Sequence, residues 1–333
     1  LFPYTTLFRS NEMCLYGCGG AGINLVSTLV NYNGEKSPGF AKINTFFLDT
    51  SSSNLPAGVP DDHVYIIDGL DGSGKKRDSN YQIIAERSKE MLHRFKPGAV
   101  NVVIHSGSGG SGSVIGPTLV SELLNRGAAV IVIMIGSSDS RIEANNTVNT
   151  LKSYEVISQK REMPVVAVYY ENSKDMPRGR VDQRINTTIA LLAAIFSGEN
   201  RELDSADLIN FLNYQKVTSF KPKLSFLDFF SKTIEVGKDQ SVVTLVTLTD
   251  ETTDSSVNLP VEYQAVGFIS EATKKNIDIE LPIHTAVISG YFHDVIDRLA
   301  DRLNIIDEAR ATHVDKSILG THNVESTHEG LVF

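Results

Sequence analysis

The chain has 333 residues, of which 41% are hydrophobic and 21% are charged, and its formal net charge at pH 7 is -9. This length and composition are typical of a two-domain globular protein, and the acidic balance argues against direct nucleic-acid binding, which needs a basic face. The sequence has no apolar run of roughly eighteen residues and no secretory signal pattern, so we expect no membrane insertion. Cys14 and Cys18 are the only cysteines, which favours reduced thiols in a cytoplasmic protein.

Residues 1–10 are expected to lie outside the natural fold. They read as the translation of a common sequencing-adapter oligonucleotide, with an ordinary apolar N-terminal segment as the alternative. We therefore place a nucleotide-binding domain at residues 11–179. A short strand, residues 12–16, leads there into the glycine-rich residues 17–24 and a helix to about Tyr32. Such a strand, turn and helix N-terminus point backbone N–H groups at an anion.

The same segment also fits a different class of protein. Gly17, Gly19 and Gly22 satisfy G-x-G-x-x-G, and Asp49 follows the next predicted strand, residues 44–48. A dinucleotide-binding fold places its ribose-binding acid at that position. An NAD-dependent oxidoreductase is therefore one hypothesis.

A second glycine-rich segment follows the apolar residues 63–68. Residues 69–76 are a near match to a P-loop, but Lys76 stands where a serine or threonine should hold magnesium. The next segment, residues 81–95, is predicted to be a helix. Its expected apolar stripe consists of Ile83, Ile84, Met91, Leu92 and Phe95.

Glycines and serines dominate residues 106–113, between an apolar strand at 99–105 and a helix at 114–126. Glycine permits a close approach of the backbone to a phosphate, and the serines add hydroxyl donors. A flexible linker is the alternative, but linkers are rarely bracketed by a strand and a helix. This segment therefore indicates a second phosphate-binding loop at the centre of the domain.

The rest of the chain predicts a second domain joined by a central helix. Strands are expected at residues 128–135 and 165–170, and a buried helix at 181–196 lies within the central-helix segment 180–197. The second domain, residues 198–289, has strand-like runs at 241–248, 262–269, 277–281 and 284–289. A long amphipathic helix at 290–312 and an extended tail complete the C-terminal segment, residues 290–333.

Several of these motifs resemble the tubulin/FtsZ family. Residues 108–113 resemble its signature loop, roughly G-G-G-T-G-[ST]-G, with Ser111 in place of threonine and Val114 in place of the last glycine. Residues 17–24 are similar to its first loop, G-x-G-G-x-G-x-N, and residues 69–74 to its third. The resemblance implies an α/β fold: a parallel-sheet GTP-binding domain of Rossmann-like topology, a central helix, a smaller α+β second domain and a long C-terminal helix.

The resemblance also implies GTP or GDP with Mg²⁺ as cofactors, and a set of contact residues. These are Gly19, Gly20, Ala21, Asn24, Asp49, Gly72, Ser73, Gly74, Ser108, Gly109, Gly110, Ser111, Gly112, Ser113, Glu143, Asn172 and Asn186. Asn172 and Asn186 match the positions that read the guanine edge in the family, and Glu143 falls near its sugar-binding loop.

Residues 202–209 resemble the synergy loop of the FtsZ branch, close to N-x-D-F-A-D-[VL]. In that family the loop of one subunit completes the nucleotide site of the next, which makes Asp204 and Asp207 the predicted catalytic residues. Phosphoryl transfer needs a positioned water and charge compensation more than covalent chemistry. The alternative is a capped helix, with Asp204 at the N-cap and Asp207 at the third helical position.

Together, the resemblance implies a GTPase activated by polymerisation, which self-associates head-to-tail into filaments in the cytoplasm of a bacterial host. The long final helix with a short tail is most similar to the phage-tubulin branch (PhuZ type), whose filaments position phage DNA or the phage nucleus. Plasmid-segregation filaments of the TubZ type, FtsZ-type division filaments and a lattice protein that has lost its nucleotide are the alternatives.

Overall fold

The computed structural model describes residues 11–35, 37–70, 72–78, 80–274 and 280–311. The strands are β1 (Glu12–Cys18), β2 (Lys42–Asp49), β3 (Val64–Ile66), β4 (Val100–Ser106), β5 (Val130–Ser137), β6 (Val165–Asn172), β7 (Leu224–Phe230), β8 (Ser241–Thr249), β9 (Tyr263–Phe268) and β10 (Ile283–Ser289). The helices are α1 (Gly19–Ser27), α2 (Tyr81–Arg94), α3 (Gly112–Asn125), α4 (Arg141–Arg161), α5 (Arg178–Ile195), α6 (Ser205–Leu212), α7 (Glu271–Lys274) and α8 (Tyr291–Ala311). The predicted tail, residues 1–10 and most of the predicted strand 277–281 lie outside the described residues.

All of these strands belong to one sheet, in the order β3-β2-β1-β4-β5-β6-β7-β10-β8-β9. The first six pair in parallel, from β3 at one edge through to β6. Strand β5 is buried along its whole length, as expected for a parallel strand covered by helices on both faces. The predicted parallel sheet is confirmed.

The second-domain strands continue this sheet instead of forming a separate one. Strand β7, which the sequence pattern did not predict, pairs in parallel with β6 and antiparallel with β10. Strand β10 also pairs antiparallel with β8, and β9 is parallel to β8. This half of the sheet is mixed, as predicted, and β7 joins it to the parallel half.

Two hydrophobic cores cover the two faces of the parallel half. One core packs α1, α5 and α6 against the sheet, and the other packs α2, α3, α4 and α8 against the opposite face. Helix α5 contributes Ile185, Ile189 and Leu192 to the first core, which confirms the predicted buried central helix. Within the part of the chain that the structure describes, no helix is long and apolar enough to cross a membrane.

Three predictions about helices need correction. Helix α1 ends at Ser27, and the chain continues to Tyr32 as a turn and a short 3-10 helix at Val30–Tyr32. Ile83 is 41% exposed, so it lies outside the buried stripe of α2. Helix α4 was not predicted at all. Its buried face mixes polar side chains such as Thr147 and Thr150 with apolar ones such as Val148 and Leu151, so its apolar stripe is narrow and interrupted.

Candidate functional site

The loops that follow β1, β2, β3 and β4 meet around one cavity of about 420 Å³. The cavity lies at the edge of the sheet formed by the carboxyl ends of the parallel strands, where ligands bind in open α/β folds. Its lining residues are Cys18, Gly19, Gly20, Ala21, Asp49, Ser51, Ser53, Asn54, Gly72, Ser73, Ser106, Gly109, Gly110, Ser111 and Gly112. These glycines, serines and backbone amides suit an anionic ligand.

Two helix N-termini point at this cavity. Helix α1 begins at Gly19 and α3 begins at Gly112, and both glycines belong to the lining. The two turns are in very close contact, since a Cβ added to Gly19 would lie 2.7 Å from the backbone nitrogen of Gly112. Gly19 also has φ +68°, which favours glycine. Two dipoles and their free N–H groups therefore converge on one point, which is the arrangement that binds phosphate.

Hydroxyl groups from the loops after β2, β3 and β4 cluster beside these N–H groups. The Ser111 hydroxyl lies 2.6 Å from the Thr50 hydroxyl and 3.3 Å from the Ser73 hydroxyl. A Cβ added to Gly110 would collide with the Ser73 hydroxyl, so the loop after β3 rests directly on the loop after β4. The cavity is thus built by contacts between loops that are distant in sequence.

Asp49 is the acidic residue of the cavity lining. Its carboxylate is 2% exposed and accepts hydrogen bonds from the Thr50 N–H at 2.7 Å and from the Asn54 side chain at 3.2 Å. Burial raises the pKa of Asp49, and these hydrogen bonds oppose that shift. The carboxylate therefore both shapes the loop after β2 and presents a negative group to the cavity.

Most of the predicted contact residues are brought together here. Those in the lining are Gly19, Gly20, Ala21, Asp49, Gly72, Ser73, Gly109, Gly110, Ser111 and Gly112. Ser113 lies beneath the loop, where its hydroxyl donates to the carbonyls of Gly109 and Gly110 at 2.7 and 2.9 Å. Ser108, Gly74 and Asn24 are outside the lining, and Asn24 is exposed on α1.

Glu143 contacts neighbouring loops of the site. Its carboxylate accepts from the Lys75 ammonium at 2.7 Å, the Ser140 hydroxyl at 3.0 Å and the Ser137 hydroxyl at 3.4 Å. Burial opposes ionisation, but the hydrogen bond from Lys75 and the others outweigh it and lower the pKa of Glu143. Glu143 therefore links the loop after β3 to the loop after β5.

The two asparagines predicted to read a base have different surroundings. The side-chain oxygen of Asn172 is buried and has no hydrogen-bond partner among the described residues. The Asn186 oxygen accepts from the Thr28 hydroxyl at 3.5 Å. Asn186 lines a second, apolar cavity of about 500 Å³ together with Phe40 and Ile189. Asn172 is thus a buried acceptor without a protein partner, whereas Asn186 has one.

The predicted catalytic acids form the capping box that the alternative interpretation described. One Asp204 oxygen accepts from the N–H groups of Ala206 and Asp207, at 2.7 and 3.0 Å, and Asp207 accepts from the Asp204 N–H at 3.1 Å. The other Asp207 oxygen accepts from the Tyr263 hydroxyl at 2.7 Å. These contacts fix the direction of both carboxylates at the start of α6, so capping and a role toward a neighbouring molecule are compatible.

This acidic pair lies at the opposite edge of the sheet from the phosphate cavity. Asp204 lines a cavity of about 450 Å³ with Asn11 and Ala99, which precede β1 and β4 at the amino ends of the strands. Helix α5 connects the two edges with 18 residues, which span about 27 Å. One chain therefore carries the glycine-rich cavity and the acidic pair at opposite ends.

His105, at the end of β4, holds the start of the central glycine-rich loop. Its Nδ1–H donates to the Ser106 carbonyl at 3.1 Å, and its Nε2 accepts from the Tyr154 hydroxyl at 2.5 Å. The ring is fully buried, and this burial lowers its pKa from 6.5 to about 4. The histidine is therefore neutral in the folded protein throughout the neutral pH range.

The burial of the neutral His105 ring predicts that the folded protein loses stability in acid. Between pH 6.5 and about 4 the unfolded chain binds a proton at His105 that the folded chain does not. The free energy of unfolding is therefore unaffected by the titration of His105 above pH 6.5, and it decreases by up to about 3 kcal/mol as the pH falls toward 4. Urea unfolding at several pH values should show this loss, and a His105→Asn variant should lack it. A stability difference between the two proteins that does not change with pH would contradict this assignment.

The fold and the site can now be compared with known proteins. The chain superposes on the protofilament of TubZ from bacteriophage PhiKZ with a TM-score of 0.82, covering 97% of this chain and 99% of that one at 26% identity. The GDP-bound phage tubulin PhuZ superposes with the same TM-score of 0.82, at 19% identity. The chain thus has the tubulin/FtsZ fold.

Relatives found by sequence comparison indicate which proteins with this fold the chain resembles. A phage tubulin-like protein of Pseudomonas phage phiKZ is 27% identical over 332 residues, covering 96% of this chain and 97% of the relative. A phage tubulin-like protein of Pseudomonas phage PhiPA3 is 31% identical over 202 residues, 61% of each chain. No protein-family model matches the chain. The chain is therefore a homologue of the phage tubulin-like proteins, and the predicted resemblance is confirmed.

Proposed function

We propose that this protein binds GTP with Mg²⁺, assembles head-to-tail into filaments and hydrolyses GTP where two subunits meet. The observation that carries the proposal is the placement of a phosphate-type cavity at one edge of the sheet and of Asp204 and Asp207 at the other. Neither edge alone has both a phosphate cradle and the paired acids. A head-to-tail contact brings them together, and a heterologous contact that does not close produces a filament.

The cavity supports a nucleotide with Mg²⁺ as its ligand. Converging N–H groups and hydroxyls suit the phosphates, and Mg²⁺ usually binds through phosphates plus one or two carboxylates. Asp49 supplies a carboxylate in the lining. The bound ion would neutralise charge on the phosphates during transfer. The unpaired oxygen of Asn172 supports guanine, whose N1–H and N2–H groups are donors.

At the subunit junction, the chain's own residues would orient the attacking water. The capping box and the Tyr263 hydroxyl hold the Asp207 carboxylate in one direction. A carboxylate fixed in this way accepts a hydrogen bond from water and places it in line with the phosphate. Hydrolysis would then depend on assembly. The relatives named phage tubulin-like support a role in the bacterial cytoplasm, where such filaments position phage DNA or the phage nucleus.

Binding of GTP in preference to ATP and NAD is the first expected result. Titration of the full chain with fluorescent derivatives of the three nucleotides measures it, and electron microscopy with GTP or a slowly hydrolysed analogue should show filaments. Asn172→Leu should reduce the preference for GTP over ATP, because it removes the buried acceptor.

Each alternative has a distinct outcome. A preference for NAD would defeat the tubulin-like assignment, and a preference for ATP would defeat the role given to Asn172. A chain that binds no nucleotide and still polymerises would be a lattice protein that has lost its ligand.

A further inference from the structure

A stripe of polar side chains on α4 faces the loops of the phosphate cavity. Each member lies three or four residues from another member, so they share one broad face of the helix. They are Glu143, Asn146, Thr147, Thr150 and Ser153. Thr147 and Thr150 donate to the carbonyls of Ser137 and Gly107, at 3.2 and 3.0 Å. The stripe therefore contacts several loops of the site although none of its members lines the cavity.

Asn146 lies at the centre of this stripe and connects two of the loops. Its side-chain nitrogen donates to the backbone carbonyls of Lys75 at 2.9 Å, Ser108 at 3.1 Å and Gly109 at 3.3 Å. The residue is 6% exposed. One buried amide therefore holds the loop after β3 to the loop after β4, and a buried donor of this kind is costly to remove.

The loop after β3 is held in a strained shape at the point that Asn146 contacts. Lys75 has φ +65°, a left-handed conformation that is unfavourable for a residue with a side chain. Its ammonium is paired with Glu143 at 2.7 Å. Two residues later, Arg77 donates to the Ser113 carbonyl at 3.2 Å and the Ser153 hydroxyl at 3.3 Å. The surrounding contacts, most of them from α4, maintain this conformation.

The position of this loop in the sheet indicates which part of a ligand it meets. It follows β3 at one edge of the sheet, whereas Asn172 is the last residue of β6, on the far side of β2, β1, β4 and β5. Gly72 and Ser73 of the loop line the cavity. A nucleotide whose base lies near Asn172 would direct its terminal phosphate toward Gly72 and Ser73.

We infer that Asn146 is a positioning residue that sets the loop after β3 against the loop after β4, and thereby determines the preference of the site for a nucleoside triphosphate over a diphosphate. This inference rests on the proposed function, because it assigns the cavity to a nucleotide. It concerns a residue that touches no phosphate itself and acts through the Lys75 backbone.

The test compares GTP and GDP binding in the full chain and in Asn146→Ala. Loss of the amide should weaken GTP binding about tenfold, equal to about 1.4 kcal/mol, and leave GDP binding within about threefold. Asn101→Ala is the matched control, since Asn101 is fully buried and donates to the carbonyls of Ala129 and Gly98, at the amino end of β4. It should lose stability without changing the ratio of GTP to GDP affinity.

A second variant keeps the test decisive if Asn146→Ala unfolds. Asn146→Ser retains one donor on a smaller side chain, so its ratio of GTP to GDP affinity should be lower than that of the wild-type chain, and higher than that of Asn146→Ala where the alanine variant folds. An unchanged ratio in the Asn146 variant that folds, or an equal change in Asn101→Ala, would overturn the inference. Failure of the wild-type chain to bind any guanine nucleotide would instead defeat the proposed function.

Discussion

Replacing Asp207 with asparagine is expected to lower GTP turnover by filaments about 10²-fold or more, while GTP binding to the subunit stays unchanged. The side-chain oxygen of asparagine still accepts from the Asp204 N–H, which keeps half of the capping box, but the negative charge is gone. Phosphate release above the assembly threshold measures turnover, and nucleotide titration measures binding. If GTP hydrolysis at the proposed subunit junction is what releases subunits, filaments of the variant should persist.

Comparing Asp207→Ala with Asp207→Asn separates the effect of the lost charge from the effect of the lost hydrogen bond at the helix N-terminus. Alanine removes the charge and the acceptor for the Asp204 N–H, while the Asp204 side chain still caps α6, so this variant should lose about 1 kcal/mol more stability than Asp207→Asn and have the same low turnover. In the unmutated chain, the rate should rise faster than linearly with protein concentration, because each active site needs two subunits. Turnover by Asp207→Asn at the wild-type rate would refute the role of this carboxylate. A specific activity that does not depend on concentration below the threshold would refute the shared site.

Replacing Gly19 with alanine is expected to weaken GTP binding about 100-fold. The new Cβ would lie 2.7 Å from the nitrogen of Gly112 and 2.9 Å from its Cα, so the turn after β1 and the turn after β4 must separate. Separation moves the N–H groups of two helix N-termini away from a common point. The loss of about 2.7 kcal/mol corresponds to one or two charge-assisted hydrogen bonds. Titration with labelled GTP measures it.

Gly58→Ala provides the control for backbone strain. Gly58 has φ +82°, similar to the +68° of Gly19, but a Cβ added there meets no atom within 4 Å. Both variants should therefore lose about 1–2 kcal/mol of stability from the left-handed conformation, and only Gly19→Ala should lose nucleotide binding. Equal binding losses in the two variants would show that strain, and not the contact between the two turns, is responsible.

The sequence alone predicted the local parts of the site well, because their signals are local. A glycine-rich turn between a strand and a helix specifies backbone N–H groups directed at an anion, whatever surrounds it. The spacing of Asp204 and Asp207 likewise predicts a capping box, which the structure shows, whereas their catalytic role was predicted only from the resemblance to the FtsZ synergy loop. The resemblance to the tubulin/FtsZ family then predicted the fold that these parts belong to, and the superposition on the TubZ protofilament confirms that fold.

Only the tertiary structure decided how these parts meet. Helix α4 was missed because polar residues such as Asn146 and Thr150, which bond to loops, share its buried face with the apolar ones and interrupt the apolar stripe by which a buried helix is recognised. The contact of Gly19 with Gly112, and that of Asn146 with Lys75, join residues about seventy to ninety positions apart in a chain whose parallel strand order brings them together. Sequence spacing carries no information about such contacts, because they depend on which strands are neighbours in the sheet.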